Sequence, residues 1–127
     1  MIITSFNPMI LSENADEVIK LFEELGFERR HTKTGIHDGD ITGVDMKYTG
    51  EDGKAFRVTV VQCPVPQDIT TIRMNVRDLD EAYQMLEKKG FKNVNGENIT
   101  DTGSSKATMM VSPSGFSISI AEHIKND

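Results

Sequence analysis

Residues able to do chemistry are few in this chain and thinly spread. His31, His37, Asp38 and Asp40 sit in the segment HTKTGIHDGD and are the densest set of metal-type donors. Their spacing matches no helical or zinc-ligand pattern, and Gly35 and Gly39 give the segment the character of a flexible solvated loop. Cys63 is the sole cysteine. It abuts Pro64, with no adjacent histidine to acidify it, so it reads as a small hydrophobe at a strand end. His123 lies in a polar tail and reads as exposed. The chain has no phosphate loop, no Ser-His-Asp order and no paired carboxylates at a catalytic spacing. Arg57 and Arg73 remain, each flanked at alternate positions by hydroxyl or amide side chains: Thr59, Thr71 and Asn75. That combination suits charge-assisted recognition of a small polar or anionic molecule.

What positions these residues is an internal repeat. Residues 7–27, NPMILSENADEVIKLFEELGF, align without a gap on residues 71–91, TIRMNVRDLDEAYQMLEKKGF. Asp16/Asp80, Glu17/Glu81, Glu23/Glu87, Gly26/Gly90 and Phe27/Phe91 are identical pairs. Each copy predicts a strand followed by a capped helix. Asn14 and Glu17 make the first capping pair, and Val18, Leu21, Phe22 and Leu25 the apolar stripe. In the second copy Asp78 and Glu81 cap, and Ala82, Met85 and Leu86 form the stripe. Gly26 and Gly90 sit where a helix closes in left-handed geometry. Strands are then expected over 27–32, 41–49 and 55–62, and again over 92–94, 105–112 and 115–122. The linker Cys63-Pro64-Val65-Pro66-Gln67 discourages both helix and strand. The chain therefore reads βαβββ twice, as a single domain of two repeats, 1–63 and 68–127.

Alternation sorts the strand residues by face. Phe56, Val58 and Val60, like Phe116, Ile118 and Ile120, share the face expected to pack under a helix. The opposite face should carry Asn7, Met9, Arg57, Thr59, Thr71, Arg73, Asn75, Ser117 and Ser119, and these nine are the candidate ligand-binding residues. Among seven methionines, Met74 and Met85 are expected in the core, with Met9 and either Met109 or Met110 on the polar face.

Paired βαβββ modules with a Gly-Phe helix stop in each half, and a closing strand after Ser112-Pro113-Ser114-Gly115, resemble the vicinal oxygen chelate superfamily. That group contains glyoxalase I, bleomycin-resistance proteins, fosfomycin-resistance enzymes, epimerases and extradiol dioxygenases. The resemblance implies an α+β fold in which paired βαβββ modules form a cup-shaped eight-stranded mixed sheet that holds the ligand, often in a homodimer. It also implies four metal-ligand positions, usually His on the first strand of each module and Glu on the last. Here those positions fall on Asn7, Thr71, Ser119 and either Thr59 or Arg57, none of which supplies an imidazole or a carboxylate. A guanidinium about 4 Å from a divalent ion would cost roughly 8 kcal/mol at an effective dielectric of about 20. No cofactor and no metal are expected.

Fourteen Lys and Arg against twenty Asp and Glu give a net charge of −6, which disfavours nucleic acid and anionic membranes as partners. Lone Cys63 and an N-terminus without a basic, apolar leader point to a soluble cytoplasmic protein. The leading expectation is a metal-free small-molecule binding protein of the glyoxalase/bleomycin-resistance type. A glyoxalase-like lyase or isomerase with an unrecognised site, and a dimeric interaction module with a vestigial cup, are the alternatives.

Overall fold

The computed structural model describes residues 1–36, 41–101 and 105–123. Its contacts divide the chain into two units, residues 7–70 and residues 71–127 together with 1–6. The first unit holds most of β1 (Ile3–Ser12), then α1 (Ala15–Glu24), β2 (Glu28–Ile36), β3 (Ile41–Thr49) and β4 (Ala55–Gln62). Its strands run in the order β2-β3-β4-β1, with β4 parallel to β1 and antiparallel to β3. The second holds most of β5 (Ile69–Val76), then α2 (Leu79–Lys88), β6 (Lys92–Asn93), β7 (Thr100–Asp101), β8 (Ser105–Val111) and β9 (Ser117–His123). Here β9 is parallel to β5 and antiparallel to β8, and the short β6 and β7 both pair with β8. The expected βαβββ order is present in both halves. The main departures are that β2 continues through Ile36, into the segment read as a loop, and that β7 was not anticipated. His37, Asp38 and Asp40 lie outside the described residues. No described helix is long and apolar enough to cross a membrane.

Each helix is anchored at its start by the last residues of its own sheet. Asn14 makes no side-chain cap. Instead the Ala15 N–H donates to Gln62 Oε1 on β4 at 2.9 Å, and Gln62 Nε2 donates to the Glu13 carbonyl at 2.6 Å. In the second unit Asp78 caps as expected, accepting from the Glu81 N–H at 3.2 Å. Glu122 on β9 accepts from the Leu79 N–H at 2.8 Å, the counterpart of the Gln62 contact. At the other end both helices close alike. Gly26 (φ 105°) and Gly90 (φ 90°) are left-handed, and the Phe27 and Phe91 N–H groups reach back to the Phe22 and Leu86 carbonyls. This is the bonding of a Schellman motif.

The anchoring sets which helix face meets the sheet. With Ala15 held against β4, the buried positions follow at helical spacing: Ala15 and Ile19 are buried, and Val18 and Phe22 pack on Val44, Met46, Val58 and Val60. The expected stripe is thereby corrected, because Leu21 and Leu25 are 52% and 57% exposed. Leu79, held by Glu122, places Leu79, Ala82 and Leu86 in the second core with Met74, Val76, Met110, Ile118 and Ile120. Met85 falls outside that stripe and is exposed. Val58, Val60, Ile118 and Ile120 lie under the helices as expected. Phe56 and Phe116 share their parity, yet both stand half exposed at the strand openings. There Phe56 stacks on Tyr48 and Phe116 meets Phe91 edge-on.

Candidate functional site

The register places all nine candidate residues on sheet faces opposite the helices. In the first unit Met9 pairs with Thr59, and Thr59 with Asp45. Val58 and Val60, which alternate with Thr59, are in the core under α1, so Thr59 projects to the helix-free face together with Asn7 and Met9. Asn7 and Thr59 are 4% and 6% exposed, and they satisfy each other. Asn7 Nδ2 donates to Thr59 Oγ1 at 3.0 Å and to the Pro8 carbonyl at 2.8 Å, and Thr59 Oγ1 donates to Asp45 Oδ1 at 2.7 Å. The chain thus runs from amide to hydroxyl to carboxylate. Thr59 is the β4 residue hydrogen-bonded to Asn7. Arg57 lies one alternation earlier on β4 and is exposed.

Asp45 was missed at the level of sequence. Val44 and Met46 are core residues of β3, so the alternation applied to β1 and β4 would have put Gly43, Asp45 and Lys47 on the polar face. His31 stands across β2 from Asp45 and is exposed.

The second unit has a matching helix-free face. Ser117 Oγ donates to Thr71 Oγ1 at 2.8 Å. Arg73 is in register with Ser119, and Asn75 with Ala121. Met109 pairs with Ser119, whereas Met110 is fully buried on the helix side, which settles the choice between these two methionines. Asn75 Oδ1 is buried without a hydrogen-bond partner. A buried carbonyl oxygen left this way costs free energy unless something donates to it.

The donors present do not match the imidazole and carboxylate set that the resemblance implies for a transition metal. Asn7 and Thr59 offer amide and hydroxyl oxygens at those positions, and the Thr59 hydroxyl already accepts from Asn7 and donates to Asp45. Thr71 and Ser117 are bonded to each other. Among the described residues no three His, Cys, Asp or Glu side chains converge. Burial pushes the Cys63 thiol above the ordinary value, which lowers its thiolate fraction at neutral pH and argues against a nucleophilic role.

No protein-family model and no curated protein matches the chain. Solved structures do. A methylmalonyl-CoA epimerase from Streptomyces coelicolor, solved with 2-nitronate-propionyl-CoA, superposes with a TM-score of 0.69 at 15% identity, covering 97% of this chain and 99% of that one. The methylmalonyl-CoA epimerase of Mycobacterium tuberculosis gives 0.68 at 16% identity, over 98% and 91% of the two chains. A further epimerase, in complex with methylmalonyl-CoA and NH4+, gives 0.67 at 16% identity, over 95% of each. This chain therefore has the glyoxalase/bleomycin-resistance fold.

Proposed function

We propose that this chain, built on the vicinal oxygen chelate fold, is a metal-free protein that binds a small polar or anionic molecule on the helix-free faces of its sheets. The observation that carries this reading is the hydrogen-bond chain from Asn7 through Thr59 to Asp45. The resemblance puts Asn7, and either Thr59 or Arg57, at metal-ligand positions, and the chain offers amide and hydroxyl groups there in place of imidazole or carboxylate. Arg73, Ser119 and the unpartnered Asn75 Oδ1 supply a cation, a hydroxyl and a waiting acceptor on the corresponding face of the second unit. Met9 and Met109 add adaptable apolar surface. Epimerases of the same fold have been solved with 2-nitronate-propionyl-CoA and with methylmalonyl-CoA, which makes short carboxylates, free and as CoA thioesters, the first compounds to try. A cytoplasmic homodimer belongs to the same proposal.

The test is a thermal-shift screen of small acids, phosphate esters and neutral compounds, with hits measured calorimetrically. An anionic hit should lose affinity with added salt. Arg73→Ala should weaken it about tenfold, equivalent to about 1.4 kcal/mol, without altering the circular dichroism. A response confined to neutral, apolar compounds rejects the proposal. Elemental analysis of the purified protein should find no stoichiometric Zn, Ni, Fe or Mn, and EDTA should leave the melting temperature unchanged. One tightly held transition metal per chain would overturn the metal-free part.

A further inference from the structure

The helix-free face of the first unit carries a pair of charges that its surroundings do not neutralise. Lys47 on β3 and Arg57 on β4 are directly opposite in the antiparallel register. Met46 and Val58, their neighbours in sequence, are both in the core under α1, so the two cations project to the same side as Thr59 and Asp45. Like charges in directly opposed positions destabilise a sheet. A chain with twenty acidic residues and a net charge of −6 has ample carboxylates to offset them. None of the described ones does so: no carboxylate of the described residues lies within 4.0 Å of either cation. Glu28, across β2 from Lys47, has its carboxylate 3.9 Å from Arg30 instead. Asp45, two residues along β3 and so about 7 Å away, accepts the Thr59 hydroxyl.

We propose that Lys47 and Arg57 form an oxyanion subsite that takes a phosphoryl group. The inference rests on the reading of this face as ligand-binding, and it names the group that the ligand presents there. A phosphoryl group brings up to two negative charges and three acceptor oxygens, enough for the Arg57 fork and the Lys47 ammonium together. A carboxylate brings one charge and two oxygens. The Asp45 carboxylate repels an anion from the next row, which confines the phosphoryl group to the Lys47/Arg57 row and turns the rest of the ligand toward Thr59 and Met9.

The experiment titrates inorganic phosphate, glycerol phosphate and acetate against chloride at constant ionic strength, read by melting temperature and amide NMR shifts. The wild type is compared with Lys47→Gln, Arg57→Gln and, as a charge-matched control, Lys54→Gln, whose lysine pairs with Asp52 on an exposed turn. Phosphate should stabilise the wild type and shift the amides of Lys47 and Arg57. Either site variant should weaken it about tenfold, while Lys54→Gln should not. In chloride alone the two site variants should melt at or above the wild-type temperature, because each removes the repulsion. Tighter binding of glycerol phosphate than of phosphate identifies a phosphate ester as the source, and the reverse identifies the free ion. Acetate acting as strongly as phosphate, or equal losses in all three variants, overturns the subsite. If small acids shift the amides of Arg73 and Ser119 while phosphate leaves Lys47 and Arg57 unmoved, the subsite fails and the ligand-binding reading stands. If no compound in either screen moves any of these amides, both fail.

Discussion

Thr59 holds the polar chain of the first unit together, since it accepts from buried Asn7 and donates to Asp45. Thr59→Val keeps the shape and removes both bonds, leaving one of the Asn7 amide hydrogens without its acceptor at a buried position. The expected loss is about 1–3 kcal/mol, read as a lower urea midpoint with an unchanged slope. Thr59→Ser should recover most of it, because the hydroxyl returns and only a methyl is missing. Cys63 supplies the pH test. Burial raises its pKa, so the thiolate fraction at pH 7–8 is below that of an ordinary cysteine. Alkylation by iodoacetamide should therefore be slower than that of a model thiol at pH 7.5 and should go on rising with pH after the model thiol has levelled off. A rate at or above that of the model thiol at neutral pH would contradict the assignment of Cys63 as a non-nucleophilic residue.

At the scale of elements, the two side chains that reach back from the closing strands, Gln62 and Glu122, do more than satisfy an N–H. By fixing the first residue of each helix to the sheet they set its rotation, and with it the identity of the core residues. Removing the contact by Gln62→Ala or Glu122→Ala should cost about 0.5–2 kcal/mol each, the usual range for a lost helix cap. The rotation itself is checked by pairs of substitutions on one helix. Ile19→Ala should cost about 2–5 kcal/mol as a buried truncation, whereas Leu21→Gln and Leu25→Gln, on the exposed side, should stay within about 0.5 kcal/mol. The opposite ranking would mean that the stripe Val18, Leu21, Phe22 and Leu25 faces the sheet after all. On α2 the same logic sets Leu86→Ala against Met85→Gln.

For the whole molecule, the two units share the first strand. Residues 1–6 belong with the second unit, where the Arg77 N–H donates to the Ile2 carbonyl at 3.0 Å and the N-terminal ammonium lies 3.4 Å from Glu81, while residues 7–12 belong with the first. A continuous strand divided in this way should make the chain unfold as one domain of two repeats. Calorimetry should show a single transition whose calorimetric and van't Hoff enthalpies agree. Two resolved transitions, or a ratio well above one, would show that the repeats unfold independently.

The repeat was legible without any structure, because its marks are local. A glycine needed for left-handed φ, a phenylalanine behind it and an acidic residue in the first helical turn are decided by neighbouring backbone, so they recur at Gly26/Gly90, Phe27/Phe91 and Asp16/Asp80. Strand alternation is equally local, and it placed all nine polar-face residues from Asn7 to Ser119 on the correct side. Two kinds of fact needed the tertiary structure. The phase of each helix depends on Gln62 and Glu122, more than forty residues distant from the N–H groups they hold. Stripes such as 15/18/19/22 and 18/21/22/25 have identical spacing, so nothing local tells them apart. The cross-strand partners depend on register: only the pairing of β3 with β4 brings Asp45 to Thr59 and sets Lys47 against Arg57.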